Sequence, residues 1–543
     1  MEICKFETTT NLTDKPFRAS NRFIGGPSPF YIDGDIRFTI NTEFKSGEYY
    51  FQFGPSFAHT GRANRVDALG IRGAVRRATA VREPDIPGLH ELLEANQDQI
   101  FATYPLAIGE WLNHFHSTLK PIVTAVVDPT QLFHTWLETG PKKLLKKRAF
   151  TDIIHNGRAL HPTFVKQVEY KCKSGEILEP EKYLRAIGDL TTPGSVMCGF
   201  YMDMVKDAFA ANFNYLGGIA AFIKPKLASL REVFKNLISP IEFVQFYYFS
   251  DDACVAVRCT DGILRANLDI KMCDGSNFHR VFQLLQQAMT VVPFWAPYIG
   301  GAFAQLEANM VIHNPEDYAE SVTLKPVGPF LFSGSTLTTV VNNMANTLIF
   351  LAIMNTLTSD MTKAQAIDAI RQAARTVGYI IKVDVCDDIQ DLQFLKHSPA
   401  INTDGDIDAY LNLGVWLRKF GRCKGEMPSR KGECLAERIA KYNSEVVRSR
   451  VESGNHCLHD AFLTKVVSTD ARFATFVAKD KSFTEDVSGS QLGRIPDNEL
   501  CKRYKVSVEA LNHFCSLIVE SQPGQLISHP VARAIMMKDY GYE

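Results

Sequence analysis

Between residues 243 and 270 the chain is a series of apolar runs separated by short polar breaks. Residues 243–249 are apolar and aromatic, Ser250, Asp251 and Asp252 interrupt them, and residues 253–259 resume strand character. Asp261-Gly262 then separates that run from 263–270. Runs of this length bounded by turn residues predict three strands joined by two hairpins. The same reading predicts a strand over 322–327 and helices over 278–290, 336–357 and 363–377. "FLFSGSTLTTVVNNMANTLIF", residues 330–350, reads as strand, small-residue loop and helix, with Thr338 and Asn342 on one helix face. After Leu411 the pattern is mainly helical. There "ELCKRYKVSVEALNHF" has the spacing of a DNA-reading helix-turn-helix, and an ordinary helical hairpin explains it more cheaply.

The hairpins bring acidic residues together. With Asp261 and Gly262 as a two-residue turn, Thr260 pairs with Ile263 and Asp269 falls opposite Cys254, near Asp252. The carboxylates of Asp251, Asp252 and Asp269 then gather at one end of a sheet, since neighbouring strands lie under about 5 Å apart. Strict alternation puts Asp252 on the face of Asp269, whereas Asp251 is at the tip, where alternation does not decide direction. Three converging carboxylates need protons or a cation, and oxygen-only ligands select Mg²⁺ or Mn²⁺. A solvated acidic turn with a chance Asp on the next strand is the plain alternative.

Composition narrows the class. At 543 residues, 45% hydrophobic and 22% charged, the chain reads as a soluble globular protein of several subdomains. No run reaches the roughly 20 apolar residues of a membrane span; the uncharged stretch Ala288 to Leu306 carries two prolines and two glycines and suits an irregular packed insertion. Twelve cysteines without a CxxC pair read as reduced thiols, with no zinc spacing. The net charge of -1 conceals three basic clusters: Arg62 to Arg77, Lys142 to Arg148, and Trp416 to Glu433. Each alone is most simply a solvated face, and together they suit a polyanion groove.

Two further motifs carry a resemblance. Ser333, Gly334, Thr338 and Asn342 form SGxxxTxxxN, which resembles motif B of viral RNA-dependent RNA polymerases, and Asp269 and Asp274 form DxxxxD, which resembles their motif A. Ser250-Asp251-Asp252 is similar to motif C, with serine at the usual glycine. Motif C comes before A here, an order that resembles the permuted polymerases of permutotetraviruses and birnaviruses. "VEYKCKSGEILEPEKYLRAIGDL", residues 168–190, resembles motif F, "GYIIKVD" motif D and "LQFLKHSPA" motif E. The resemblance covers roughly residues 160–400.

It implies an α+β right-hand polymerase with fingers, palm and thumb and an antiparallel RRM-like palm sheet in permuted connectivity. The boundaries expected are 1–150 N-terminal extension and fingers, 151–240 fingers with motif F, 241–275 palm, 276–325 fingers insertion, 326–400 palm and 401–543 thumb. The implied activity is template-directed RNA synthesis from NTPs with two Mg²⁺ ions (Mn²⁺ in their place) held by Asp251, Asp269 and Asp252. Alternation favours Asp252 as the closer ligand; the resemblance favours Asp251. Asp274 and Asn342 would read the ribose 2′-hydroxyl, where reverse transcriptases place a bulky side chain. Arg185, with Lys171, Lys173 and Lys182, would meet the triphosphate, and Lys382 would protonate the leaving pyrophosphate. Partners expected are template and product RNA, NTPs and viral capsid or replication factors, in the host cytoplasm or the virion. A reverse transcriptase-like polymerase, a two-metal nuclease and a non-catalytic RNA-packaging protein are the competing readings.

Overall fold

Both faces of the central sheet are covered, which is why its strands read as near-continuous apolar runs. The computed structural model describes residues 22–23, 26–27, 30–32, 50–52, 55–58, 88–126, 165–172, 186–190, 193–211, 220–222, 227–313, 321–326, 328–419, 422–424, 454–465 and 493–541. The sheet consists of β1 (Ala220–Phe222), β2 (Val244–Phe249), β3 (Asp252–Cys259), β4 (Gly262–Ile270) and β5 (Ile381–Val385), in the spatial order β5-β4-β3-β2-β1. Neighbours are antiparallel except β1 and β2, which are parallel. Tyr247, Cys254 and Ala256 face helix α1 (Leu227–Ile238) through Leu230, Phe234 and Leu237. On the opposite face Phe246, Tyr248, Val255 and Leu268 join a larger core with α2 (His279–Met289), α3 (Thr338–Thr356) and α4 (Lys363–Thr376). Alternation along each strand serves two cores at once.

A second sheet has the order Phe30–Ile32, Ser321–Pro326, Asn309–His313, Gln167–Cys172, Ala186–Asp189. The fold is thus mixed helix and sheet. All three predicted strands between 243 and 270 form, as does the one at 321–326, and the three predicted helices form within two residues of their expected ends.

The register of β3 and β4 differs from the expected one. Cys259 pairs with Gly262, so Thr260 and Asp261 are the turn residues and Asp269 lies opposite Asp252 rather than Cys254. The turn is fixed from outside. The Asp261 carboxylate accepts from the Lys363 N–H at 2.8 Å, and the Thr260 N–H donates to the Met361 carbonyl at 3.0 Å. The entry to α4 therefore moves the turn back by one residue. Partners shift by two, so every side chain keeps its predicted face.

Two segments differ in kind. Residues 330–332 are not a strand. Phe330 donates to Leu306 O, and the Ser333 carbonyl accepts from Gly188 N at 2.8 Å, so the segment lies extended against Ala186–Asp189. A Cβ on Gly188 would sit 2.4 Å from the Phe332 ring, so side-chain packing replaces a ladder here. Within Ala288–Leu306, expected to be irregular, a helix forms at Ala296–Ala304 between two 3₁₀ turns, with Trp295, Tyr298 and Ile299 buried. No helix among the described residues is long and apolar enough to cross a membrane.

Toward the C-terminus, "ELCKRYKVSVEALNHF" is a helical hairpin of α5 (Asp497–Tyr504) and α6 (Val508–Glu520), with Lys505 at φ 53 as the left-handed cap. Helix α7 (Pro530–Tyr540) closes this core. Its Asp539 is buried: one oxygen accepts from Arg503 at 3.1 Å, the other from Gly414 N at 2.8 Å and Tyr504 OH at 3.0 Å. This places the Tyr540 ring 4.9 Å from the Lys396 ammonium and 4.6 Å from the Arg418 guanidinium. Removing one partner of a buried pair strands the other charge. Asp539→Ala is expected to lower stability by about 3–5 kcal/mol in urea unfolding; a loss under about 1 kcal/mol would show that Arg503 does not depend on it.

Candidate active site

Two tight turns and one loop converge at the end of the central sheet. Between β2 and β3, where Phe249 pairs with Asp252, Ser250 and Asp251 form a two-residue turn. Ser250 has φ 56, a left-handed conformation that costs an L-residue roughly 1–2 kcal/mol. Helix α3 supplies what holds it. Asn343 Oδ1 accepts from Ser250 N at 2.7 Å, and Asn346 Nδ2 donates to Ser250 O at 2.6 Å. Asp251, at the tip, is exposed.

Asp252 and Asp269 are direct cross-strand partners. They share the face opposite to Leu268 and Ile270, and their Cβ atoms are about 4.5–5.5 Å apart by sheet geometry. Like charges in that relation repel. Burial pushes the Asp252 carboxyl up to about 7; the Asp251 charge adds to this, and hydrogen bonding by Leu395 opposes it. That bond runs from the Leu395 N–H to Asp252 Oδ2 at 2.7 Å. Asp269 is exposed as a residue, yet surrounding protein atoms and then the charge of Asp251 raise its carboxyl, while Lys382 works against them. Lys382 is the strand partner of Asp269 on β5; its exposed ammonium pairs with Asp384 at 2.9 Å.

On the α3 side, Asp274 opens a short 3₁₀ turn, and its Oδ1 accepts from Asn342 Nδ2 at 2.9 Å. The same amide nitrogen lies 3.5 Å from Ser250 Oγ. Asn342 Oδ1 is buried and has no hydrogen-bond partner among the described residues. The loop before α3 docks closely. Gly334 has φ 98, and a Cβ there would lie 2.4 Å from Gly188 O, so backbone approaches backbone only because position 334 is glycine. Thr338 Oγ1 donates to Phe332 O at 3.0 Å and sets the start of α3 on that loop.

Of the residues singled out from sequence, Asp251, Asp252, Asp269, Asp274 and Asn342 meet at one sheet end. Lys382 stands on the adjoining strand. Ser333, Gly334 and Thr338 fix the loop and helix that bring Asn342 there. Arg185, Lys173 and Lys182 lie outside the described residues, as do the basic clusters at 62–77 and 142–148. Asp252 has an oxygen committed to Leu395 N–H, and among the described residues no group of three or more His, Cys, Asp or Glu side chains is arranged to hold a metal ion. The exposed carboxylates of Asp251 and Asp269 are oxygen donors of the kind a hard divalent cation takes one or two at a time, with water completing its shell.

Sequence reading missed Asn343, Asn346 and the bond that the Leu395-Lys396 turn, inside the segment resembling motif E, makes to Asp252. The available signal for the first two was three amides in one turn of an otherwise apolar helix, "VVNNMANTLIF". The contact of that turn with Asp252 had none, because non-glycine residues at φ 53 and 62 look like any others.

No family model matches the chain. An O-methyltransferase, PaMT, from Phomopsis amygdali is 33% identical over 104 residues, which is 18% of this chain and 24% of that protein. This chain thus matches about a quarter of that relative's length. Among solved structures, the birnavirus VP1-VP3 complex is similar at TM-score 0.36 and 12% identity, covering 55% of this chain and 41% of the other. The RNA polymerase VP1 of Infectious Pancreatic Necrosis Virus is similar at TM-score 0.37 and 11% identity, covering 66% and 52%. Likenesses of that size do not bear on the roles of individual residues.

The Asp252 shift has a definite sign. Its folded pKa is raised from 3.8 to about 7, so its stabilising contribution is present in full below about pH 4 and is lost as pH rises through 7. Without divalent cations, Asp252→Asn is expected to match the wild type near pH 4. At pH 8 it should be more stable by on the order of 2 kcal/mol, the value allowing for solvent screening. Urea unfolding at the two pH values measures this; a wild type more stable than the variant at pH 8 would contradict the charge assignment.

Proposed function

We propose that this chain is a template-directed RNA polymerase whose palm is built in permuted connectivity. The observation that carries the reading is the hydrogen bond from Asn342 to Asp274, made beside Asp251 and Asp269 at a single sheet end. It joins segments 68 residues apart. Sugar recognition gives that pair a purpose; a nuclease centre or a packaging surface has no need of it.

The carboxylates of Asp251 and Asp269 are the oxygen donors for the reacting centre. When bound there, Mg²⁺ (or Mn²⁺) supplies Lewis-acid activation of an RNA 3′-hydroxyl and neutralises triphosphate charge. The chain's own contribution is position and field. Asp252, fastened to Leu395, keeps the strand end in register and adds negative potential behind the two donors. Asn342, with its nitrogen held by Asp274, has a buried carbonyl oxygen without a partner among the described residues, and in this reading that oxygen is the acceptor for a 2′-hydroxyl proton. A deoxyribose leaves that buried acceptor unsatisfied, which is the basis of discrimination. Lys382 is the proton donor for departing pyrophosphate in this scheme, released from Asp384 when the charge of the leaving group develops. Arg185, Lys173 and Lys182 meet the triphosphate, and the basic clusters line the RNA path, so binding weakens with salt.

In this reading β2–β5 are palm, residues 276–325 a fingers insertion and residues 401–543 the thumb. RNA and NTPs are the partners, and a virus-infected cytoplasm or a virion is the setting.

RNA-templated incorporation of labelled NTPs with Mg²⁺ tests this directly. Asp251→Ala and Asp269→Ala should each reduce incorporation by on the order of 10³-fold; wild-type rates in both would remove the assignment. Asp274→Ala should retain synthesis but lower the preference for NTP over dNTP at least tenfold or so. An unchanged preference would separate sugar reading from this pair.

A further inference from the structure

Helix α3 is apolar on all sides, and residues 340–353 are buried. Asparagine is an expensive residue in such a place unless both its polar atoms are satisfied. Asn343 and Asn346, both 0% exposed, satisfy only one each. Asn343 uses its oxygen on Ser250 N and, among the described residues, leaves Nδ2 without a hydrogen-bond partner; Asn346 uses its nitrogen on Ser250 O and leaves Oδ1 without one there. The two amides thus grip the peptide groups on either side of a single residue. That residue is the non-glycine of the turn at φ 56, immediately before Asp251.

We infer that Asn343 and Asn346 are positioning residues that hold Ser250 in its left-handed conformation and so fix the direction in which Asp251 projects. The donor on Asn346 and the acceptor on Asn343 match the carbonyl and N–H of one residue in one backbone state. A relaxed Ser250 with negative φ turns those groups away from both amides. A glycine at 250 would adopt the same backbone without help, so the clamp is the counterpart of a serine at this position. Neither amide touches substrate in this scheme; each acts through Ser250. The inference takes from the proposed function only that Asp251 acts in the reaction, and its physical part stands apart from it.

The test combines exchange and kinetics. By amide hydrogen exchange on the full chain, Asn343→Ala and Asn346→Ala should lose protection in the 249–252 turn by tenfold or more. Protection in the rest of β2 and β3 should stay within about twofold, a pattern that general destabilisation does not give. In RNA-templated synthesis each variant should lose about tenfold in kcat with KM for NTP within about twofold. Adding Ser250→Gly should recover at least about fivefold of that loss, because glycine needs no clamp. Should the alanine variants not fold, position 250 carries the test alone: Ser250→Val, β-branched and averse to positive φ, should lose turn protection and kcat where Ser250→Gly does not lose turn protection. Uniform loss of protection, absence of rescue by glycine, or Val and Gly behaving alike at 250 would overturn the inference. If the wild type makes no RNA, the proposed function fails while the exchange pattern still decides the clamp.

Discussion

The antiparallel register of β2, β3 and β4 is the constraint on which the rest of this structure depends. Two turns of two residues each leave no slack. Phe249 must face Asp252, and Asp252 must face Asp269. A slip of one residue on either side would send the whole apolar set of β3 to the wrong core, exchanging the neighbours of α1 for those of α3. Because both cores are full, the register is enforced along the length of the sheet, and the acidic residues at its end follow. Their closeness is unfavourable in itself. The apolar packing of the strands imposes it; burial first, and the charge of Asp251 after it, raise the carboxyls of both Asp252 and Asp269.

Much of this was legible in the residue pattern because the strands are buried on both sides. Such strands leave long unbroken apolar runs, and the breaks between them are short and polar. Faces were legible too, since parity survives a shift of two. The position of the second turn was not. Asp261-Gly262 is the stronger local turn signal, yet Asp261 and Thr260 bond to Lys363 and Met361 at the entry to α4, about a hundred residues further on. Tertiary contacts outweighed local preference there. Residues 330–332 misled for a related reason: the Phe332 ring fills a gap that Gly188 leaves open, and no alternation marks a segment that packs by shape.

The division of labour among the acidic residues was equally out of reach of pattern. Alternation sets Asp252 and Asp269 on one face and says nothing of what awaits them. What awaits Asp252 is the backbone N–H of Leu395, delivered by a turn more than a hundred residues away in sequence. A carboxylate that accepts such a bond is oriented by it and has less to offer a ligand. Asp251 is unconstrained by the ladder, and its direction is set by the backbone of Ser250 alone. The residue with least local specification therefore depends most on distant support.

Backbone strain makes the same point across the site. Among the described residues, five that are not glycine have positive φ: Ser250, Met272, Leu395, Lys396 and Lys505. Lys505 caps a helix, a common place for that conformation. The other four surround the carboxylates at the end of one sheet, and each is held by a specific contact. Asn343 and Asn346 hold Ser250; Ser276 Oγ donates to the Met272 carbonyl. Asp252 takes the N–H of Leu395; Asn412 donates to the Lys396 carbonyl, and the Tyr540 ring lies by its ammonium. Such conformations cost about 1–3 kcal/mol each and persist only where the surroundings over-determine them. Four at one place, each with its own restraint, mean that folding energy from α3, from the 389–412 segment and from α7 is concentrated on the geometry of a few oxygen atoms. A surface acidic turn would have relaxed to ordinary backbone and left those restraints without a purpose.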